Sequence, residues 1–286
     1  MEKEADSRRT SNVGTGAMTF PKPIITREHG SWALLLVPMA IAASTVGAFT
    51  VNAGLLVVSA LGVFMSYAPL TALMRELMVG SHDREHLVAR TLWGFIYLAG
   101  GIGAALPLMQ QGLWMIVPLG AAALLLYFTN FLLTRTHQRS VLTDLVAVAG
   151  LTLGAPAMYY VLTRTLDVHA WILYSVSFLF FGSSVVYVHF KIQATRGKKS
   201  DWTLSERLHA GRLNLAYHAF VIAIVLALSL YKLTPATAVL AFVPITIHAC
   251  YGTYRLSSRV SFPRLGFALL AHSIGFALLW TIIVFL

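Results

Sequence analysis

Nine long apolar stretches, each close to 20 residues, constrain this chain of 286 residues more than any other feature. A helix of about 20 residues crosses the ~30 Å hydrocarbon layer of a membrane. The stretches cover residues 31–49, 53–74, 92–109, 113–133, 141–162, 170–190, 213–231, 236–254 and 265–285. They predict an all-α polytopic membrane bundle of about nine transmembrane helices, with the lipid bilayer as its surroundings.

The basic residues orient these predicted helices. If the N-terminus is cytoplasmic, 19 of the 21 Lys and Arg residues lie in the tail or at the cytoplasmic ends, and only Arg164 and Lys232 lie outside. This asymmetry is the one described by the positive-inside rule. We therefore predict a multi-pass protein of the cell's inner (plasma) membrane, with its N-terminus cytoplasmic and Leu286 outside.

Composition and local patterns define the domains and exclude two kinds of site. Residues 1–26 are polar and predict a disordered cytoplasmic tail, whereas residues 27–286 predict a single nine-helix transmembrane domain. The net charge of +10 is spread over five cytoplasmic segments, so we predict no nucleic-acid partner. Because Cys250 is the single cysteine, neither an internal disulfide nor a cysteine-based metal site is possible.

Small residues and prolines predict how the helices pack. Gly150 and Gly154 form a GxxxG pattern in the fifth stretch, and three glycines lie together at 100–103 in the third. Such spacings allow close approach of helix backbones in lipid. Prolines lie inside the stretches, where they predict kinked packing or, alternatively, the opening of a central cavity: Pro38, Pro69, Pro118, Pro156 and Pro244.

Several local features resemble known families. The long cytoplasmic connections after the second and sixth helices resemble those of the UbiA superfamily of intramembrane prenyltransferases. Residues 27–32, REHGSW, resemble the opening of that superfamily's first helix, and more closely the REHGxW signature of the YwiC-like membrane proteins. Residues 134–137, TRTH, resemble the basic turn of the prenyltransferases. The resemblance implies a UbiA-like fold and a lipid-soluble isoprenoid, quinone or haem-like substrate.

One departure from the prenyltransferase pattern concerns the metal. Those enzymes carry Asp-rich motifs at the cytoplasmic ends of helices two and six, because Mg²⁺ requires clustered carboxylate oxygens. This chain offers Glu76, Asp83 and Glu85 after its second stretch and no carboxylate between Phe178 and Ser200. The sequence therefore disfavours Mg²⁺ as a cofactor. One alternative is a Mg²⁺ site with protein carboxylates on one side and phosphate oxygens of the substrate on the other. Beyond these possibilities the cofactor is unknown.

The predicted site residues lie near the cytoplasmic ends of the stretches. Their alternatives are structural, since Glu28 also complements a helix dipole and Asp83 lies in a loop that is typical of a solvated connection. In the functional interpretation they line one cytoplasmic cavity, with acid–base groups and cations that bind an anionic substrate. The catalytic candidates are Glu28, His29, Glu76 and Asp83, and the substrate-binding candidates are Arg75, Arg135, His189 and Lys191.

Three further histidines, His218, His248 and His272, fall at one predicted depth. They lie roughly 8 to 10 Å below the cytoplasmic boundary at 1.5 Å per residue. Ionisable groups at membrane depth usually mark function, and imidazole suits haem iron, copper or zinc. Hydrogen-bonded packing, a polar cavity wall completed by Asn130 and Asp144, and weak metal ligation are the open interpretations.

Two functional classes follow. The first is an intramembrane enzyme that acts on a lipid-soluble isoprenoid, quinone or haem-like small molecule. It would be a prenyltransferase-like transferase without the usual Asp-rich motifs. The second is a non-catalytic membrane transporter or assembly factor. Broken helices in pairs or internal repeats favour a transporter, and the sequence shows no convincing repeat.

Overall fold

The computed structural model describes residues 22–24, 29–79, 84–136, 140–196, 202–257 and 259–285, without the side chains of 29, 75, 77–79, 84–86, 135 and 136. Ten α-helices and a 3₁₀ helix account for most of these residues, which contain no β-strand. The α-helices are α1 (His29–Val46), α2 (Val51–Val79), α3 (Arg84–Gln110), α4 (Ile116–Thr136), α5 (Val141–Thr152), α6 (Gly154–Thr163), α7 (Val168–Arg196), α8 (Leu204–Leu230), α9 (Val243–Tyr254) and α10 (Phe262–Phe285). The 3₁₀ helix, Ala236–Ala241, precedes α9.

The predicted membrane spans are found in this helix order. Among the described residues, eight helical segments are long and apolar enough to cross a membrane, and α1 supplies a shorter apolar helix, Gly30–Val46. Two of the eight segments consist of paired elements, α5 with α6 and the 3₁₀ helix with α9. The all-α polytopic membrane bundle predicted from the sequence is confirmed.

Four helices continue beyond the apolar stretches at the end of the bundle that carries the basic residues. We call this the inner end and the opposite one the outer end. There α2 extends to Val79, α3 begins at Arg84, α7 extends to Arg196 and α8 begins at Leu204. Hydropathy marks only the part of a helix in hydrocarbon, whereas the backbone hydrogen-bond ladder continues through polar residues. The structure therefore has longer inner helices than the stretches predict.

Two spans are interrupted near prolines. The fifth span breaks at Leu153, between α5 and α6, three residues before Pro156. A proline donates no backbone hydrogen bond and its ring clashes with the carbonyl four residues earlier, which here is that of Thr152. The eighth span changes from 3₁₀ to α-helix at Phe242, and Pro244 lies at the start of α9. Helix geometry therefore changes near Pro156 and Pro244, whereas α1 and α2 continue through Pro38 and Pro69, and α4 continues past Pro118 in its first turn.

Helix α7 occupies the centre of the bundle. In α7, 61% of the residues in the membrane window are buried, against 17% in α3. It packs against α1, α5, α6, α8 and α9. The Phe180 ring of α7 stacks on Phe276 of α10 at 4.0 Å and meets Phe242 at 6.1 Å. Side chains on α7 therefore reach most of the other helices.

Glycines set the close helix contacts, although not all of those in the sequence patterns take part. A Cβ on Gly62 of α2 would lie 2.6 Å from the Gly101 backbone of α3, while one on Gly100 would meet nothing within 4 Å. The GxxxG pair serves two different neighbours, since Gly150 faces Ala123 of α4 and Gly154 faces Met39 of α1. The fifth span is thereby fixed between α1 and α4.

Candidate functional site

The inner part of α7 presents polar side chains on two opposite faces. His189 and Lys191 are two residues apart, and two residues of an α-helix are separated by about 200° around its axis. His189 faces α5 and Lys191 faces α9. The two residues, predicted to bind one substrate, therefore belong to two different polar clusters.

The first cluster is a carboxylate–imidazole pair between α5 and α7. His189 Nε2 lies 2.9 Å from Asp144 Oδ2, with side-chain exposures of 12% and 19%. Ser140 caps α5 and fixes its first turn, which contains Asp144. A carboxylate in this turn is stabilised by the positive end of the helix dipole. The pair is thus held by both helices, and no residue that the structure describes hydrogen-bonds to His189 Nδ1.

The second cluster lies between α7, α9 and α10. Lys191 Nζ donates a 2.6 Å hydrogen bond to the carbonyl of Gly252, near the C-terminus of α9, and Lys191 is 7% exposed. Its ammonium lies 5.4 Å from the centre of the Tyr187 ring. The His248 ring contacts the Tyr187 ring at 5.1 Å and the His272 ring at 4.8 Å. We call Tyr187, Lys191, His248 and His272 the basic cluster.

Lys191 also has a structural role. The last carbonyls of a helix lack intrahelical donors, and cations near a C-terminus are stabilised by the dipole. Lys191 satisfies the carbonyl of Gly252, and Arg207 Nη1 donates a 2.8 Å bond to that of Tyr254. These contacts fix the inner end of α9 against α7 and α8.

His218 occupies a third position, on α8. It is 1% exposed, and its Nδ1 lies 2.8 Å from the backbone oxygen of Asn214. A carbonyl oxygen only accepts, so Nδ1 carries the proton and Nε2 is left as an acceptor. Nε2 and Asn214 Oδ1 are both buried without a hydrogen-bond partner. Asn214 donates to Thr253 Oγ1 at 3.1 Å, which joins α8 to α9.

The positions of His218, His248 and His272 do not support their joint binding of a metal ion. The described part of the chain contains no group of three His, Cys, Asp or Glu side chains placed to hold a metal ion. His248 and His272 lie together, whereas His218 bonds within its own helix. Asp144 and Asn130, predicted to complete this wall, lie elsewhere, since Asn130 donates to the Thr143 carbonyl and Asp144 pairs with His189.

Glu76 lies in a separate ion pair. Its carboxylate is paired with the Arg90 guanidinium, which joins α2 to α3, and the two side chains are 9% and 28% exposed. Because the guanidinium occupies a carboxylate oxygen that a metal or substrate would otherwise contact, this pairing favours a structural role. The structure shows no contact between Glu76 and His189, which the sequence predicted to share a cavity.

Five of the predicted site residues lie outside what the structure describes. Glu28 and Asp83 are outside the described residues, and the side chains of His29, Arg75 and Arg135 are also not described. Their shared cavity therefore stays a prediction. A surface pocket of about 330 Å³ occurs elsewhere, at the start of α8, lined by Trp202, Ser205, Glu206, His209 and Ala210.

Two contacts of functional interest were not predicted from the sequence. The pairing of Asp144 with His189 joins residues 45 positions apart, and Tyr187 was not expected to contact a histidine. The available signal was that all these residues lie near the inner ends of spans. Depth along a helix follows from the sequence, but the direction in which a side chain points does not.

The family comparison supports one of the two resemblances. Residues 25–159 match the model of the YwiC-like protein family, so the predicted resemblance to that family is confirmed. The match covers Asp144 and ends within α6, before His189 and the basic cluster. No curated protein and no solved structure matches the chain.

Proposed function

We propose that this chain is an intramembrane enzyme with a UbiA-like architecture that acts on a lipid-soluble isoprenoid, quinone or haem-like substrate. The observation that carries the proposal is the Asp144–His189 pair, a carboxylate hydrogen-bonded to an imidazole between two spans. The reaction occurs in the inner half of the bundle. The charge asymmetry supports a cytoplasmic location for this half.

The pair has the chemistry of a general acid–base unit. An imidazole both donates and accepts protons, and a carboxylate on one ring nitrogen fixes the tautomer and orients the ring. Asp144 occupies Nε2, so Nδ1 is the atom that exchanges a proton with the substrate. Ionisable groups at membrane depth are costly, which favours a functional reason for their presence. Asp144 is thus a positioning residue and His189 the catalytic one.

The proposed reaction does not use the two-cluster Mg²⁺ arrangement of prenyltransferases. The inner end of α7 offers His189 and Lys191 where a second acidic cluster belongs, and Glu76 is paired with Arg90. Fixed cations in a partly dry site stabilise a diphosphate or carboxylate directly. Arg75 and Arg135 are the proposed cations. Glu28, His29 and Asp83 remain proposed neighbours of this site.

Substrate turnover by matched histidine variants tests the proposal. Purified protein is incubated with a labelled prenyl diphosphate and a panel of lipid-soluble acceptors, with and without Mg²⁺. We expect His189→Gln and Asp144→Asn to lower turnover by about 10²-fold or more, the range of general acid–base catalysis. His169→Gln is the control, because His169 also lies beside a carboxylate, at the outer end of the same helix. Equal turnover in wild type and His189→Gln would contradict the proposal.

A magnesium titration tests the metal prediction separately. EDTA-washed wild type, Glu76→Gln and Arg135→Gln are compared across the titration. We expect turnover to persist without Mg²⁺ and to fall in Arg135→Gln. Mg²⁺-dependent prenyl transfer that disappears only in Glu76→Gln would show instead that a carboxylate-bound metal does the work.

A transporter or assembly factor is the second candidate, and one observation favours the transporter. Two spans are interrupted, at Leu153 and at Phe242. Discontinuous helices often form the substrate sites of transporters. Reconstituted vesicles distinguish the two functions, since a transporter moves a labelled substrate across the membrane unchanged, while an enzyme yields a new product.

A further inference from the structure

We propose that the basic cluster binds the phosphate group of an anionic membrane lipid from the inner leaflet. The cluster lies on the face of α7 opposite the Asp144–His189 pair, so this site is separate from the proposed reaction and does not depend on it. Four polar side chains from three helices meet there: Tyr187 and Lys191 of α7, His248 of α9 and His272 of α10.

The cluster has hydrogen-bonding capacity that the protein leaves unused. No described residue hydrogen-bonds to the Tyr187 hydroxyl or to the ring nitrogens of His248 and His272, and Lys191 uses one of its three N–H groups on Gly252. Polar groups at membrane depth are stabilised by a hydrogen-bond partner, which the described residues do not supply here. Both imidazoles are only half-buried, so a molecule from outside the chain reaches them.

The charges around the basic cluster favour an anion over a cation as the bound molecule. Residues 207–286, which include α9, α10 and their connection, contain no Asp or Glu. Lys191 contributes a positive charge in contact with Tyr187, and that charge repels a metal ion bound to the two imidazoles. An ammonium, a phenol and two imidazoles together supply the donors that several phosphate oxygens accept.

The position of the cluster selects a lipid as the source of the phosphate. His248 lies six residues before the end of α9, inside a membrane span. The connection from α9 to α10 exposes Arg255 and Arg259, and Arg264 is exposed in the first turn of α10. Basic pockets between transmembrane helices on the cytoplasmic side bind anionic lipid head groups. The three arginines thus draw the head group toward the inner ends of α9 and α10, where the basic cluster receives its phosphate.

Native mass spectrometry of delipidated protein with added lipid tests this site. The probes are dioleoyl phosphatidylglycerol, dioleoyl phosphatidylcholine, inorganic phosphate and Zn²⁺, and the shift in melting temperature with each probe is a second measurement. We expect wild type to retain phosphatidylglycerol over phosphatidylcholine. The double variant His248→Phe/His272→Phe keeps the ring packing and should lower retention of phosphatidylglycerol about tenfold, the loss expected for charge-assisted contacts.

The variants separate this site from general attraction to the basic end. Lys191→Gln should also lower retention, but it removes a cap of α9, so the double histidine variant is the decisive one. His209→Phe is the control, since His209 lies at the inner end of α8 in a different pocket. Unchanged retention in the double variant, equal retention of phosphatidylcholine, equal stabilisation by inorganic phosphate, or stabilisation by Zn²⁺ alone would overturn the proposal.

Discussion

The two ends of the helix bundle are built differently. Each of the four outer turns is short and contains one residue with left-handed backbone: Gly47, Gly112, Arg164 and Lys232. Polar side chains there join exposed turns, as when Asn52 Nδ2 donates to Gln111 Oε1 at 2.7 Å and Arg164 Nη1 to the Gln111 carbonyl at 3.1 Å. At the inner end the helices are longer, and ionisable side chains lie between them.

This difference indicates that the outer end connects the spans while the inner end carries the functional groups. Exposed hydrogen bonds in water contribute little, and the outer turns need only return the chain to the next span. Polar groups inside a membrane span are expensive and are retained where they serve a purpose. The two basic residues that break the charge asymmetry, Arg164 and Lys232, are also the non-glycine residues with left-handed backbone in the part of the chain that the structure describes. Arg164 and Lys232 are therefore explained by the geometry of the outer turns, and they have no part in the polar clusters of the inner end.

Breaking the inner histidine–carboxylate pair should have the largest effect on stability. His189→Ala removes the hydrogen bond between the imidazole and the Asp144 carboxylate in a partly buried place and should destabilise the protein by about 2–3 kcal/mol, the range for a hydrogen bond to a charged group. The matched outer change, His169→Ala, affects a side chain that is 60% exposed and should cost about 0.5 kcal/mol or less. Unfolding in mild detergent measures both. Similar costs at the two ends would remove the distinction between them.

Adjacent glycines of α3 should respond in opposite directions. Gly101→Ala places a methyl group 2.9 Å from the Ser59 carbonyl of α2 and should destabilise the hairpin by about 1–3 kcal/mol. Gly100→Ala meets nothing within 4 Å and should stabilise the helix by about 0.5–1 kcal/mol. Thermal melting of the two variants checks this pair. Equal melting temperatures would mean that α2 and α3 are not in such close contact.

The left-handed residues of the outer turns should give the smallest effects. Lys232 has φ 58°, so Lys232→Gly should relieve backbone strain and stabilise the protein by about 0.5–1 kcal/mol. Arg164→Gly should gain less, because the Arg164 side chain also bonds to the Gln111 carbonyl. Chemical denaturation compares the two. A loss of stability in Lys232→Gly would show that its side chain contributes more than the turn geometry implies.

The sequence predicts the membrane spans well because length and hydropathy are properties of each helix alone. It predicts the site less well, because the site depends on which way side chains point. His189 was grouped with Glu76, yet α7 turns it toward Asp144 while Arg90 pairs with Glu76. The same limit applies to the glycines at 100–103, of which Gly101 packs against α2 and Gly100 does not.

The breaks in two spans show a similar partial success. The prolines in the apolar stretches predict a local disturbance, since proline removes a backbone donor. Among the described spans, those with Pro156 and Pro244 are interrupted, while the helices with Pro38, Pro69 and Pro118 continue. Whether the helix bends, or changes to 3₁₀ geometry as it does before α9, depends on packing against its neighbours. The sequence therefore does not predict that the spans break at Leu153 and Phe242, or which helix geometry each break adopts.

Cysteine labelling in intact cells tests the central claim most directly, namely that the inner end with its ionisable groups faces the cytoplasm. In a Cys250→Ser background, single cysteines replace Lys198, in the connection between α7 and α8, and Lys232, in an outer turn. We predict that a membrane-impermeant maleimide labels the Lys232→Cys protein from outside and the Lys198→Cys protein only after permeabilisation. Labelling of the Lys198→Cys protein in intact cells would contradict the account.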